Sequence, residues 1–181
     1  MRPRLLALFM LVGVVTNFAV RPKPPADPFK FEQIHFSVED KLERPTALPE
    51  VVVDLLMNDE IVVRSESCMK KIVILGQTPS SLFMASEAHL DGTQQSDFVI
   101  LGKGCLLGAN IAPFWIVRRT SDGFRIILSW VSHDLDILPT KTHGYHDVRL
   151  TSATANTLST VVCSFDGQKY APTKRDLKPS P

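Results

Sequence analysis

The stretch Arg118-Arg119-Thr120-Ser121-Asp122-Gly123-Phe124 separates two runs, 114–118 and 124–128, that are rich in β-branched and aromatic residues. Asp-Gly tolerates the positive φ angles a tight turn requires, so the stretch reads as a two-stranded hairpin. Similar punctuation falls at Asp91-Gly92, His143-Gly144 and Asp166-Gly167. Around these turns, residues 72–75, 82–90, 98–101, 135–138 and 157–165 are apolar or alternating and read as further strands. Hairpin following hairpin predicts an antiparallel β-meander, with turns spaced too unevenly for a strict repeat.

Upstream, residues 46–57 predict one short amphipathic helix. Pro49 suits a first helical turn and Glu50 its positive end, while Leu48, Val51, Val52, Leu55 and Leu56 recur along one face. Residues 29–38 alternate with a slip of phase. Phe29 and Phe31 share one side and Ile34, Phe36 and Val38 the other, as in one bulged strand or two short ones. The expected fold is α+β, mainly β: a single globular domain over 29–171 with the helix packed on a face or edge. Residues 172–181, where Pro172, Pro179 and Pro181 are interspersed with Lys174, Arg175 and Lys178, read as a flexible tail.

The first twenty residues read as a leader. Arg2 and Arg4 precede an apolar run over 5–15, and Arg21 and Lys23 follow it. That is the secretory pattern, and the run is shorter than the roughly 20 residues of a membrane span. Ala19 is a candidate for the cleavage position, although Asn17 and Phe18 are not small; left uncut, residues 5–20 become an N-terminal anchor. Four prolines in 21–28 make an extended spacer. The expected location is secreted or periplasmic, with membrane contact only through an uncleaved leader.

The formal net charge of the 181-residue chain is +1, which gives no electrostatic footprint for nucleic acid. Three cysteines in an exported chain suggest one disulfide and one left-over thiol. Cys163 shares an alternating face with Val161 and Phe165 and reads as a buried hydrophobe. Cys68 and Cys105, near segment boundaries, are the expected pair, chosen on position since connectivity is not fixed by sequence.

Residues 88–100 offer carboxylates Asp91 and Asp97 in a loop between two strands, the way calcium obtains oxygen ligands. The loop resembles that of FG-GAP or VCBS-type repeats, in which an Asp-x-Asp/Asn-x-Asp-Gly-x-x-Asp loop precedes an apolar strand, here Phe98-Val99-Ile100. Asp91 and Asp97 fall on ligand positions of that pattern. His89 and Thr93 stand where it has acidic residues, and Gln94 replaces its glycine. Two carboxylates favour a metal-free turn, with no cofactor, over a working calcium site. A wider resemblance runs from Cys105-Leu106-Leu107-Gly108-Ala109-Asn110 through Thr142-His143-Gly144-Tyr145-His146-Asp147 to Phe165-Asp166-Gly167-Gln168-Lys169-Tyr170. This order is similar to that of small exported bacterial proteins of uncharacterised function; it implies a secreted β-rich domain and carries no activity.

Residues 133–147 collect His133, Asp134, Asp136, His143, His146 and Asp147. Within that group, His133, Asp136, His143 and His146 are the raw material of a metal-dependent hydrolase, although no complete ligand motif is present. No Gly-x-Ser-x-Gly elbow and no full phosphate loop occurs. Trp115, Trp130 and Tyr145 are candidates for an aromatic platform facing a protein or glycan, though alternation sends Phe114 and Trp115 to opposite faces. The leading expectation is an exported, non-catalytic domain that binds a protein or glycan in the cell envelope. The hydrolase, and an inhibitor or immunity-type protein for an exported enzyme, stand as alternatives.

Overall fold

A computed structural model describes residues 33–93 and 95–179. The expected leader, the spacer and residues 29–32 of the first strand lie outside the described residues. The elements follow as β1 (His35–Ser37), β2 (Pro45–Thr46), α1 (Glu50–Met57), α2 (Glu60–Val63), α3 (Glu66–Leu75), β3 (Phe83–Ala88), β4 (Asp97–Gly102), β5 (Ala112–Thr120), β6 (Gly123–Ser132), β7 (Asp134–Thr142), β8 (Tyr145–Ala153), β9 (Thr157–Phe165) and β10 (Tyr170–Pro179). The structure is mainly β, and both of its sheets are antiparallel. None of the described helices is long and apolar enough to cross a membrane.

The described residues form two five-stranded sheets, in the orders β2-β3-β4-β5-β6 and β1-β7-β8-β9-β10. The first is the middle layer. On one side Val99, Leu101, Ala112, Phe114 and Ile116 share a core with Leu135, Val148, Leu150, Val161 and Cys163 of the second, outer sheet. On the other side Phe98, Ile100, Trp115 and Val117 pack with Val52, Leu56, Val62, Cys68 and Ile72 of the helices. Burial on both faces explains why β4 and the first half of β5 read as unbroken apolar runs. The outer sheet keeps one face in water and alternates, with Arg149 exposed between the buried Val148 and Leu150.

The hairpin expected around Asp122-Gly123 forms, with Thr120 opposite Gly123 across the turn. The β7–β8 turn is tighter in its demands: His143 has φ 49° and Gly144 φ 84°, two consecutive positive values of the type I′ kind. One residue, His133, carries the chain from β6 in the middle sheet to β7 in the outer one. Its N–H donates to the Thr151 carbonyl at 2.8 Å, and its own carbonyl accepts from the Val38 N–H at 3.1 Å, so the corner is fixed from both sides.

The structure corrects four expectations. Among the described residues there are three α-helices, not one, because Asp59 caps α2 by accepting the Ile61 N–H at 3.1 Å and α3 follows at once. The helix expected over 46–57 begins at Glu50, since Thr46 is in β2. Residues 72–75, expected as a strand, close α3: Cys68 and Ile72 bury one helical face four residues apart, and Gly76, at φ 60°, ends the helix. Residues 172–179, expected as tail, lie in β10 and pair with β9 through a bulge at Thr173. β8 was not read as a strand because polar residues fill its start.

Cys68 and Cys105 are bonded as expected, with Cα atoms 5.2 Å apart, tying α3 to the turn after β4; Cys163 is free and buried. The bond closes a sequence separation of 37 residues. Chain-entropy arguments give such a loop up to about 4 kcal/mol of stabilisation. Replacing both cysteines by serine is therefore expected to lower stability by about 2–4 kcal/mol, read as a drop in the urea midpoint under non-reducing conditions.

Candidate functional site

Four strands lie at sheet edges: β1 and β10 in the outer sheet, β2 and β6 in the middle one. An open edge presents unpaired backbone donors and acceptors, and proteins blunt such edges with brevity, prolines, charges or bulges. β1 and β2 are 3 and 2 residues long. β10 carries Pro172, Pro179, Lys174, Arg175 and Lys178, together with its bulge. β6 differs. It runs for 10 residues, Gly-Phe-Arg-Ile-Ile-Leu-Ser-Trp-Val-Ser, with no proline and Arg125 as its single charge. One irregularity, opposite Ile116 and Val117, is its only blunting device. The first residues of β10 run beside it, and an open groove of about 410 Å³ lies between Ile126, Leu128 and Trp130 on one side and Tyr170, Ala171 and Pro172 on the other. Val131, next along β6, is 40% exposed.

Sequence reasoning missed this edge. Its lack of proline and charge is visible in the chain, but only the sheet order shows that β6 has no second neighbour among the described residues.

The aromatic platform does not form. Trp115 is fully buried beneath the helices, edge-on to Phe83 at 5.6 Å, because the middle sheet has no exposed face at that position. Trp130 is on the opposite side of the sheet, paired with Phe114, whereas Trp115 pairs with Ser129. Tyr145 is buried too, 4.3 Å between ring centres from Phe165. Of the three expected binding residues only Trp130, half-buried, reaches an accessible surface, and that surface is the β6 groove.

Asp91 and Asp97, expected as calcium ligands, have separate tasks. Asp91 accepts the Thr93 N–H at 2.8 Å and so shapes its own loop. Asp97 is 2% exposed; its Oδ1 accepts the Arg119 N–H at 3.2 Å, and its Oδ2 has no hydrogen-bond partner among the described residues. Burial pushes this carboxyl from 3.8 up to about 7, against the Arg119 N–H, with Asp91 pushing further and Arg118 and His89 pulling back. Nearby, the Arg118 guanidinium lies 5.0 Å over the Tyr145 ring. Burial, reinforced by the charge of Asp97, pushes the Tyr145 hydroxyl up to about 12. A carboxyl that holds its proton close to neutral pH is a weak calcium ligand.

The hydrolase residues are dispersed. His133 and His143 flank opposite ends of β7, whose nine residues span roughly 30 Å when extended. His133 Nδ1 is bound to Asp134 at 2.8 Å and its Nε2 is 3.6 Å from Glu39; burial opposes its charge, but Asp134 and Glu39 raise its pKa overall. Asp136 is taken by His35 at 2.6 Å and Arg149 at 3.0 Å. His143 donates to the Phe165 carbonyl at 2.9 Å, and the buried His146 to the Leu138 carbonyl at 2.6 Å. Asp147 is buried, yet the hydroxyls of Thr140, Thr142 and Ser164 outweigh that burial and hold it below the usual carboxylate range. Among the described residues no group of three or more His, Cys, Asp or Glu is placed to hold a metal ion.

The raised pKa of Asp97 has a definite sign. The folded state holds the proton more tightly than the unfolded chain, so this contribution is complete below 3.8 and is lost as pH climbs to about 7. Each pH unit in that window costs at most about 1.4 kcal/mol. Asp97→Asn is expected to gain on the wild type in thermal midpoint as pH rises from about 5 to about 8; parallel curves would contradict the assignment. No family model matches the sequence, and neither the curated proteins nor the solved structures gave a match to it.

Proposed function

We propose that this is an exported binding module that recognises a protein partner by adding an extended strand of that partner to β6. The observation that carries the reading is the contrast between edges: β1, β2 and β10 are short or blunted, and β6, ten residues long, is nearly bare. Strand addition draws its affinity from main-chain hydrogen bonds and its specificity from pockets for alternate side chains. The groove against β10, with Trp130 along it, supplies apolar walls for such side chains. A glycan reading has lost the paired tryptophans it needed, since Trp115 is buried. Export is supported by the Cys68–Cys105 bond, which suits an oxidising compartment. The fold then serves as a rigid frame, and its histidines and carboxylates serve the frame.

The test is selection of displayed peptides on the immobilised full-length protein. Binders are expected to alternate apolar and polar residues, as strands do. Their affinity is expected to fall by about tenfold or more when Val131→Lys places a charge on the edge. Arg149→Ala, on the water-facing side of the outer sheet, is expected to leave it unchanged. Selected peptides that are helical, or indifferent to Val131→Lys, would remove β6 as the binding element.

A further inference from the structure

α3 ends on Ile72-Val73-Ile74-Leu75 before the left-handed Gly76. Ile72 is buried, whereas Val73, Ile74 and Leu75 are 81%, 79% and 64% exposed. Successive helical residues point about 100° apart, so the three side chains fan through roughly 200° around the end of the helix. A flat partner covers one side of a helix and leaves part of such a fan in water. Full cover requires a medium that surrounds the tip. Lys70 and Lys71, both exposed, stand immediately behind it, and no Asp or Glu occurs between Glu66 and Glu87. Lys70 is 4.0 Å from Glu66, an exposed pair that holds the ammonium only weakly. Apolar tip first and cations one turn behind is the order of a lipid leaflet met from outside, acyl chains beyond phosphates. The Cys68–Cys105 bond holds the base of the helix to the rest of the fold, so the tip is presented with little left to order on binding.

We propose that the end of α3 is a membrane-surface anchor: Val73, Ile74 and Leu75 insert among the lipids of an anionic bilayer while Lys70 and Lys71 meet its headgroup phosphates. This surface is on a different element from β6 and does not depend on strand recognition there.

The test uses the full chain labelled with an environment-sensitive NBD fluorophore at Ile74→Cys, and separately at Thr173→Cys on β10 as reference. With vesicles of phosphatidylglycerol and phosphatidylcholine, the label at 74 is expected to brighten several-fold, shift to the blue and be quenched by brominated lipid. The label at 173 is expected to stay unchanged. A retained leader acts on both chains alike, so the difference between positions reports on the tip alone. Adding Val73→Ser and Leu75→Ser to the chain labelled at 74 is expected to weaken vesicle binding at that site by about tenfold or more. Lys70→Gln with Lys71→Gln is expected to abolish the preference for phosphatidylglycerol over phosphatidylcholine alone. A silent label at 74, or an equal response at 173, overturns the proposal. So does brightening that follows protein concentration without vesicles, which would assign the tip to a second copy of the chain.

Discussion

The middle sheet has helices on one broad face and the outer sheet on the other, and each constraint on the remaining elements follows from keeping water off both. Phe98 and Ile100 face one way, Val99 and Leu101 the other, and all four are buried. The helices between β2 and β3 therefore act as a lid as much as a connection. The sulfur bridge from α3 to the turn after β4 fastens that lid over the same core as Trp115, whose indole N–H has no hydrogen-bond partner among the described residues. A buried polar group left in that state costs about 1–3 kcal/mol, which the surrounding apolar contact must outweigh. Removing the lid would expose one face of the sheet entirely.

How much of this could be read from the chain depended on which forces were local. The β5–β6 hairpin was legible because Asp122-Gly123 fixes its geometry within a few residues, and Cys163 was legible because the outer sheet alternates. The run Ile72-Val73-Ile74-Leu75 was misread as a strand. Its β-branched residues favour that reading, and the helical alternative shows only when the run is joined to Cys68, one turn before Ile72 on the buried face, and to the Gly76 cap. β10 was misread in the opposite sense: prolines and lysines look like a tail, yet they are also what an edge strand uses against unwanted pairing. Trp115 was half legible. Alternation placed it and Phe114 on opposite faces, but a sheet with two dry faces buries both.

The candidate sites followed the same division. Spacing in sequence makes His133, Asp136, His143 and His146 a candidate cluster, but β7 holds its two flanking histidines apart, and each ring or carboxylate has found a partner of its own. The β6 edge was invisible for a related reason, because being an edge is a property of sheet order. Asp97 falls between. Its residue type suggested a ligand, while its burial beside Arg118 and Tyr145 makes it a proton-holding group at one end of the sandwich.

β1 has a position in time as well as in space. It pairs with β7, and the His35–Asp136 contact across that pair joins residues 101 apart in sequence. The other strand pairs join strands consecutive in the chain, whereas the partner of β1 is made only after every strand of the middle sheet. Closing so long a loop carries its entropic cost before any contact is gained, which disfavours early pairing of this strand. The first described strand to leave the ribosome thus has its partner made only later, and until the two pair the edge of β7 is one a neighbouring chain could occupy instead.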